Sequence, residues 1–368
     1  MEICDLYPDA DIFTPIYNEQ GTEGRLAGRN IHTSFLQRLK PSTRTFRALL
    51  PFYPAAIESF DLSDYDLVLS SSSAWAHAVM VDERAVHVCY CHNPFRYAWN
   101  ERRRSLEQRD MVSRAVLNAL FRRWRVWDWV AAQRVDRYLT NSRTTQARIR
   151  AYFGRESEVV YPPVRTSRMK PGSVGDHYMV LSELVSHKNI GVAVEAFNRM
   201  KLPLVVVGDG PERRHLRSIA GSTVSFTGRV SDERVGELLS ASRGLVVTSV
   251  EEFGIAAVEA QAAGRPVIAV GSGGAIETVE DGVTGRLWVG GADELVDAVQ
   301  GFDTMAVDPE ACVQNARRFD VEVFRRALPR EIDAAFAARA AQSLGAHPGE
   351  DLARRPRRRR GGLARSPR

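Results

Sequence analysis

The stretch from Leu245 to Trp288 constrains the fold more than any other. It reads LVVTSVEEFGIAAVEAQAAGRPVIAVGSGGAIETVEDGVTGRLW. Two β-branched runs, Leu245 to Ser249 and Pro266 to Val270, each end in a loop that opens a helix, so strand, loop and helix repeat in tandem. That pattern predicts a parallel sheet with helix N-termini near Gly254 and Gly274 at its carboxyl end, where unpaired N–H groups attract anions. Gly254, Gly271, Gly273 and Gly274 carry no Cβ and allow backbone to approach an oxyanion such as phosphate. Glu251 and Glu259 bracket the first turn with seven residues between them. The carboxylate before the helix repels phosphate, while the one inside it can reach a ribose hydroxyl. Together these features predict a site for a nucleotide-sugar.

Glu251-Glu-Phe-Gly-Ile-Ala-Ala-Val-Glu259, set in this strand context and followed by GRPVIAVGSGGAIETVEDGVTGRL, resembles the E-x(7)-E motif of glycosyltransferase family 4. These are retaining enzymes of the two-domain GT-B fold. A second segment, CYCHNPFRYAW from Cys89 to Trp99, resembles one branch of that family through its CYCH-x-P-x-RYAW pattern. The resemblance covers about residues 5 to 340 and implies an α/β fold of two Rossmann-like domains whose parallel sheets face a cleft. It implies that Glu251 contacts the donor sugar, that Phe253 and Gly254 reach sugar or phosphate through backbone, and that Glu259 binds the ribose. Ile255, Gly273 and Gly274 lie in the same donor-binding loops. His92, at the end of a buried-type strand, faces the donor sugar from the other domain by the same resemblance, and is otherwise a structural histidine. Lys188 neutralises the diphosphate. Where the family has an arginine five residues before that lysine, this chain has Glu183. The sequence therefore predicts that Glu183 turns away to pair with a cation, leaving Lys188, the helix termini and Arg229 to carry the phosphates.

The 368 residues suit two domains. No apolar run approaches the roughly 20 residues that cross a bilayer, and the first residues lack a basic segment followed by an apolar core. These features point to a cytoplasmic protein. Cys4, Cys89, Cys91 and Cys312 have neither metal-ligand spacing nor disulfide density, which predicts free thiols. Of the net charge of +5, residues 343–368 contribute +6 through eight arginines and two acids. The rest of the chain is about −1, so basicity belongs to a tail rich in Pro, Gly and Arg that does not fold alone. The tail reads as solvated chain or as an attraction to anionic lipid. No nucleic-acid module accompanies it.

In chain order, MEICDLYPDADIFTPIYN reads as the end of a helix, a turn and a strand from Asp11 to Tyr17. A Rossmann-like half opens with a strand and a glycine loop, so one strand is expected to be missing ahead of this segment. Helical patterning covers Thr43 to Ser59, and a strand follows at Tyr65 to Ser70. The serines at 70–73 either cap a helix or line an acceptor cleft. Residues 101–135 predict a long helix with tryptophans among arginines, either packed on the sheet or lying on a membrane surface. Ser142 is placed to cap a helix from Thr144 to Tyr152. The expected organisation is an acceptor-side domain over 1–164 and a donor-binding domain over 165–316, beginning with a linker from Val164 to Asp176. A helix over 317–342 returns to the first domain, and the tail occupies 343–368.

The expected reaction moves a sugar, with mannose the leading guess, from a nucleotide diphosphate-sugar to a hydroxyl of a polysaccharide or lipid-linked glycan. It uses no cofactor and no metal held by an Asp-x-Asp cluster. Other classes stay open: an inactive GT-B nucleotide-binding or regulatory protein, a basic membrane or nucleic-acid binder acting through the tail, and a GT-B epimerase.

Overall fold

The computed structural model describes residues 1–40, 45–107 and 109–345. The chain folds around two parallel sheets and a short parallel pair. The pair joins β1 (Ile12–Thr14) to β2 (Ile31–Thr33). The first sheet has the order β3-β4-β5-β6, from Leu67–Ser72, Val86–Cys91, Arg137–Thr140 and Ser157–Val159. The second has the order β12-β11-β10-β7-β8-β9. Its strands are β7 (Tyr178–Leu181), β8 (Leu204–Val207), β9 (Val224–Gly228), β10 (Gly244–Val247), β11 (Val267–Val270) and β12 (Gly285–Trp288).

Strand β4 explains why the first sheet is covered on both faces. All six residues of VHVCYC are buried, as expected of an inner parallel strand. Val86, Val88 and Tyr90 pack against Phe324, Leu328, Ile332 and Ala335 of the last helix, Val321–Gly345. Cys89 and Cys91 face the other way, into Ala132, Ile149 and Phe153, which follows from the strand's two-residue period. The last helix is thus core to the first sheet, and the Arg137–Glu331 ion pair reinforces it. All four cysteines are free thiols. No described helix is long and apolar enough to cross a membrane.

Several local expectations change. The first strand stops at Thr14 because Pro15 has no N–H to continue a ladder. Residues 101–135 divide into two helices, Arg102–Glu107 and Met111–Ala132, because Asp110 takes an extended backbone and caps the second by accepting from the Ser113 N–H at 3.0 Å. Of the expected helix over Thr43 to Ser59, residues 43 and 44 lie outside the described residues, and the remainder is a 3-10 turn, Phe46–Phe52, running into the helix Tyr53–Glu58. Val164 is no loose linker: it is buried, its N–H donates to Phe319 O, and its carbonyl accepts from Val321 N. Most of the arginine tail, residues 346–368, lies outside the described residues.

Candidate active site in the interdomain cleft

Loops at the carboxyl ends of β7 and β10 enclose a cavity of about 230 Å3 whose lining includes Ser182, Glu183, Lys188, Thr248, Glu251 and Ile255. At its centre the Lys188 ammonium donates to both carboxylate oxygens of Glu251, at 2.6 and 2.7 Å. Both side chains are about four-fifths buried, so this is a charge-assisted pair with limited competition from water. Two further bonds hold it: Thr248 Oγ1 donates to the Lys188 carbonyl at 2.7 Å, and the Ser249 hydroxyl donates to Glu251. The helix Ile255–Ala262 begins against the cavity at Gly254, whose φ of 92° belongs to the left-handed region that glycine favours. No side chain caps that helix, so its first N–H groups and dipole add positive potential beside the Lys188 ammonium.

Gly273 and Gly274 act differently from the sequence expectation. A Cβ on Gly273 would lie 2.3 Å from the Glu251 carbonyl oxygen, and one on Gly274 would lie 2.2 Å from Phe253 Cα. Their missing side chains let two loops press together, and the Gly274 N–H is spent on the Glu251 carbonyl at 2.8 Å. The helix that Gly274 opens, Ala275–Thr278, has four residues, too short for the expected second anion-binding terminus. Phe253 is buried against Tyr161 and Phe319, with ring centroids 5.7 and 5.3 Å away. Its side chain joins the two domains, leaving only its backbone for a ligand.

Glu259 follows Ile255 by one helical turn and so shares its face. It does not line the cavity, and its carboxyl has no hydrogen-bond or ion-pair partner among the described residues. Burial pushes its pKa up to about 7, with Asp232 raising it further and Arg168 opposing. This partly buried carboxyl therefore has acceptor capacity that the described residues do not use.

From the facing domain, His92 stands at the end of β4. Its Nε2 is 2.9 Å from Ser71 Oγ, and its ring packs edge-on against Tyr90. Burial, followed by the positive N-terminal amine, lowers its pKa, which Glu252 partly offsets. The imidazole is therefore neutral at neutral pH. His92 does not line the cavity; its neighbour Asn93 reaches across instead. The serine run does not cap a helix: Ser70, Ser71 and Ser72 approach His87, His92 and His77 respectively.

Two carboxylates absent from the sequence reading bridge the cleft. Glu252 Oε1 accepts from Asn93 at 3.2 Å and from Arg96 and Arg148 at 3.3 Å each. Glu277 accepts the backbone N–H groups of Arg143 and Thr144, which begin the helix Arg143–Phe153, and the Tyr161 hydroxyl at 3.1 Å. Ser142 caps that same helix, as its position predicts. The position of Glu252 beside Glu251 was the only available signal for the first bridge, and nothing in the spacing announced the second.

Glu183 departs from expectation. It lines the cavity and is exposed, with no ion pair among the described residues, because the nearby ammonium is already held by Glu251. Arg229 pairs with Glu23 of the first domain at 3.3 Å. Among the described residues, no group of three or more His, Cys, Asp or Glu side chains is arranged to hold a metal ion.

Residues 9–168 match the family described as Glycosyltransferase Family 4, and residues 172–319 match Glycosyl transferases group 1. A GDP-mannose-dependent alpha-(1-6)-phosphatidylinositol monomannoside mannosyltransferase of Mycobacterium tuberculosis is 33% identical over 190 residues, covering 42% of this chain and 49% of that protein. A GDP-mannose-dependent alpha-mannosyltransferase of Corynebacterium glutamicum is 30% identical over 143 residues, covering 38% of this chain and 32% of that protein. The matched chain thus spans half or less of the length of these relatives. Among solved structures, Anabaena HepE in complex with UDP superposes with a TM-score of 0.68 at 19% identity, covering 90% of this chain and 94% of the other. Sucrose-phosphate synthase from Thermosynechococcus elongatus gives 0.65 at 18% identity, covering 90% of each chain. Consecutive family matches over both halves, on two parallel-sheet domains facing a cleft, make the chain a member of the family 4 glycosyltransferases of GT-B fold.

Proposed function

We propose that the protein transfers a hexose, with mannose the leading candidate, from a nucleoside diphosphate-sugar to a hydroxyl of a polysaccharide or lipid-linked glycan. The reading includes retention of configuration and protein cations, rather than a metal, taking the charge of the leaving diphosphate. The observation that carries it is the Lys188–Glu251 pair lining the cavity at the start of helix Ile255–Ala262. On donor binding, the Lys188 ammonium exchanges Glu251 for the diphosphate and stabilises its growing charge as the glycosidic bond breaks. Glu251, released, accepts from sugar hydroxyls, Glu259 accepts from the ribose, and His92 approaches the sugar from the facing domain. A cation fixed beside the leaving diphosphate would lower the barrier by electrostatic stabilisation. The mannosyltransferase names of the relatives favour a mannose donor. The test is a panel of GDP-, UDP- and ADP-sugars offered with glycan acceptors, following nucleoside diphosphate release and the anomeric configuration of the product. Transfer with an inverted product would refute the retaining reading, and no transfer from any donor would refute the activity.

The acceptor side of the reading includes contact with an anionic membrane surface at the cytoplasmic face. The helix Met111–Ala132 supports it: Met111, Val112, Val116, Val126, Trp129 and Val130 are all about half exposed or more. Among them stand the exposed Arg114, Arg122 and Arg123, and the helix's sole acid, Asp128, is buried. Apolar residues among unopposed cations suit a headgroup layer. Sedimentation with phosphatidylglycerol vesicles, but not with phosphatidylcholine vesicles, is the expected result. A second reading, a nucleotide-binding protein without transfer, rests on Glu183 at the cavity; it predicts nucleoside diphosphate binding with no turnover of any donor.

A further inference from the structure

Glu251 and Glu252 are consecutive carboxylates that hold cations from opposite domains. Glu251 holds Lys188 from its own domain, whereas Glu252 holds Arg96 and Arg148 from the other. Two guanidinium groups share the single oxygen Oε1 of Glu252, so neither has that carboxylate to itself. Arg96 also approaches Glu101 at 3.5 Å. It is fixed in place by its neighbours on both sides. Phe95 is buried against Trp75 and Trp124, while the Trp99 indole N–H donates to the buried Asp128 at 2.7 Å and its ring stacks on Tyr152. Arg96 and Glu252 flank the cavity without lining it, Glu252 being the residue next to the lining Glu251; in the Lys188 loop burial lowers the pKa of His187, Lys188 lowers it further, and Arg96 and Arg104 add to this against Glu101. On the donor side of this same region, Glu183 lines the cavity without a cation of its own.

We propose that Arg96 is a diphosphate-binding residue of the donor site, supplied across the cleft in exchange for Glu252 and standing in for the cation that position 183 lacks. The inference rests on the donor reading above. Glu252 holds the guanidinium, and an arriving diphosphate, with more charge and more acceptor oxygens, draws it away.

Calorimetric titration of the full-length protein with GDP and UDP tests this, because the proposal and a purely structural clasp predict opposite signs for two variants. Arg96→Gln removes the cation and should weaken binding of the preferred nucleoside diphosphate by about tenfold or more. Glu252→Gln keeps an acceptor oxygen for Asn93 and the arginines while removing the competing charge, and should tighten binding severalfold. A clasp alone would make both variants weaken it, or neither change it, and either result overturns the inference. Arg96→Lys should recover part of the lost affinity, and adding Glu183→Arg to Arg96→Gln should recover most of it; failure of both rescues in variants whose ligand-free melting temperature matches the parent also overturns it. If the parent binds no nucleoside diphosphate, the donor reading itself falls, an outcome distinct from normal parent binding with unaffected variants.

Discussion

Replacing Glu259 by glutamine should make the protein more stable and less able to bind nucleotide. Its carboxyl rises from an ordinary 4.5 to about 7, first through burial and then through Asp232. Because the folded state holds this proton more tightly than the unfolded chain, the group is harmless below about pH 4.5, and its cost grows as pH rises through 7. At 1.36 kcal/mol per unit, the charged carboxylate costs the folded state about 3 kcal/mol once the pH exceeds 7. Glutamine fills the same volume without that charge. Urea unfolding of parent and variant at pH 5 and pH 8 should give a stability difference that is small at the lower pH and reaches up to about 3 kcal/mol in favour of Glu259→Gln at the higher. Nucleoside diphosphate binding should move the other way. A ribose hydroxyl donating to the carboxylate contributes roughly 1.5 to 3 kcal/mol, so the variant loses about tenfold or more in affinity and loses the parent's gain in affinity between pH 6 and 8 at this group. A stability difference independent of pH would refute the burial argument, and unchanged nucleotide affinity would refute the ribose assignment.

Three further outcomes follow from the same geometry. Glu251→Ala should lower kcat by more than about tenfold while nucleoside diphosphate affinity holds or improves, because a sugar contact is lost but the Lys188 ammonium is released; unchanged turnover would remove Glu251 from the reaction. Gly274→Ala should cost about 3 kcal/mol in urea unfolding, the upper end for overpacking, since its Cβ would meet Phe253 backbone, whereas Gly271→Ala, whose nearest contact is an ordinary 3.5 Å, should cost much less. Glu183→Arg should tighten nucleoside diphosphate binding about tenfold by placing a cation on the cavity lining; equal affinity would place residue 183 outside the phosphate's reach.

The donor half was legible because its signals are local. A β-branched run, a glycine and a helix start lie within a few residues of one another, and β10 and β11 emerge where that pattern puts them. Lys188 and Glu251, each expected at the donor site, are 63 residues apart, and the parallel sheet brings the loops after β7 and β10 together; that they pair with each other was not part of the sequence expectation. What escaped were the partnerships across the cleft. Asn93, Arg96 and Arg148 reach Glu252 over sequence separations of 104 to 159 residues, and no periodicity encodes such a meeting. The helix-cap alternative for the serine run fails for a related reason: hydroxyls that suit a cap serve equally as partners for histidines. Gly273 and Gly274 were read as making room for a ligand when the room is filled by backbone of a neighbouring loop, a distinction that sequence alone does not contain.

The central claim is that the Lys188 ammonium, held ready by Glu251, receives the donor's diphosphate. Calorimetric titration of the parent and of Lys188→Met with GDP and UDP tests it most directly, the methionine preserving the apolar stem of the side chain. Saturable binding to the parent and a loss of about tenfold or more in Lys188→Met, with the folded state intact, is the predicted result; nucleoside diphosphate binding equally well to both proteins would contradict it.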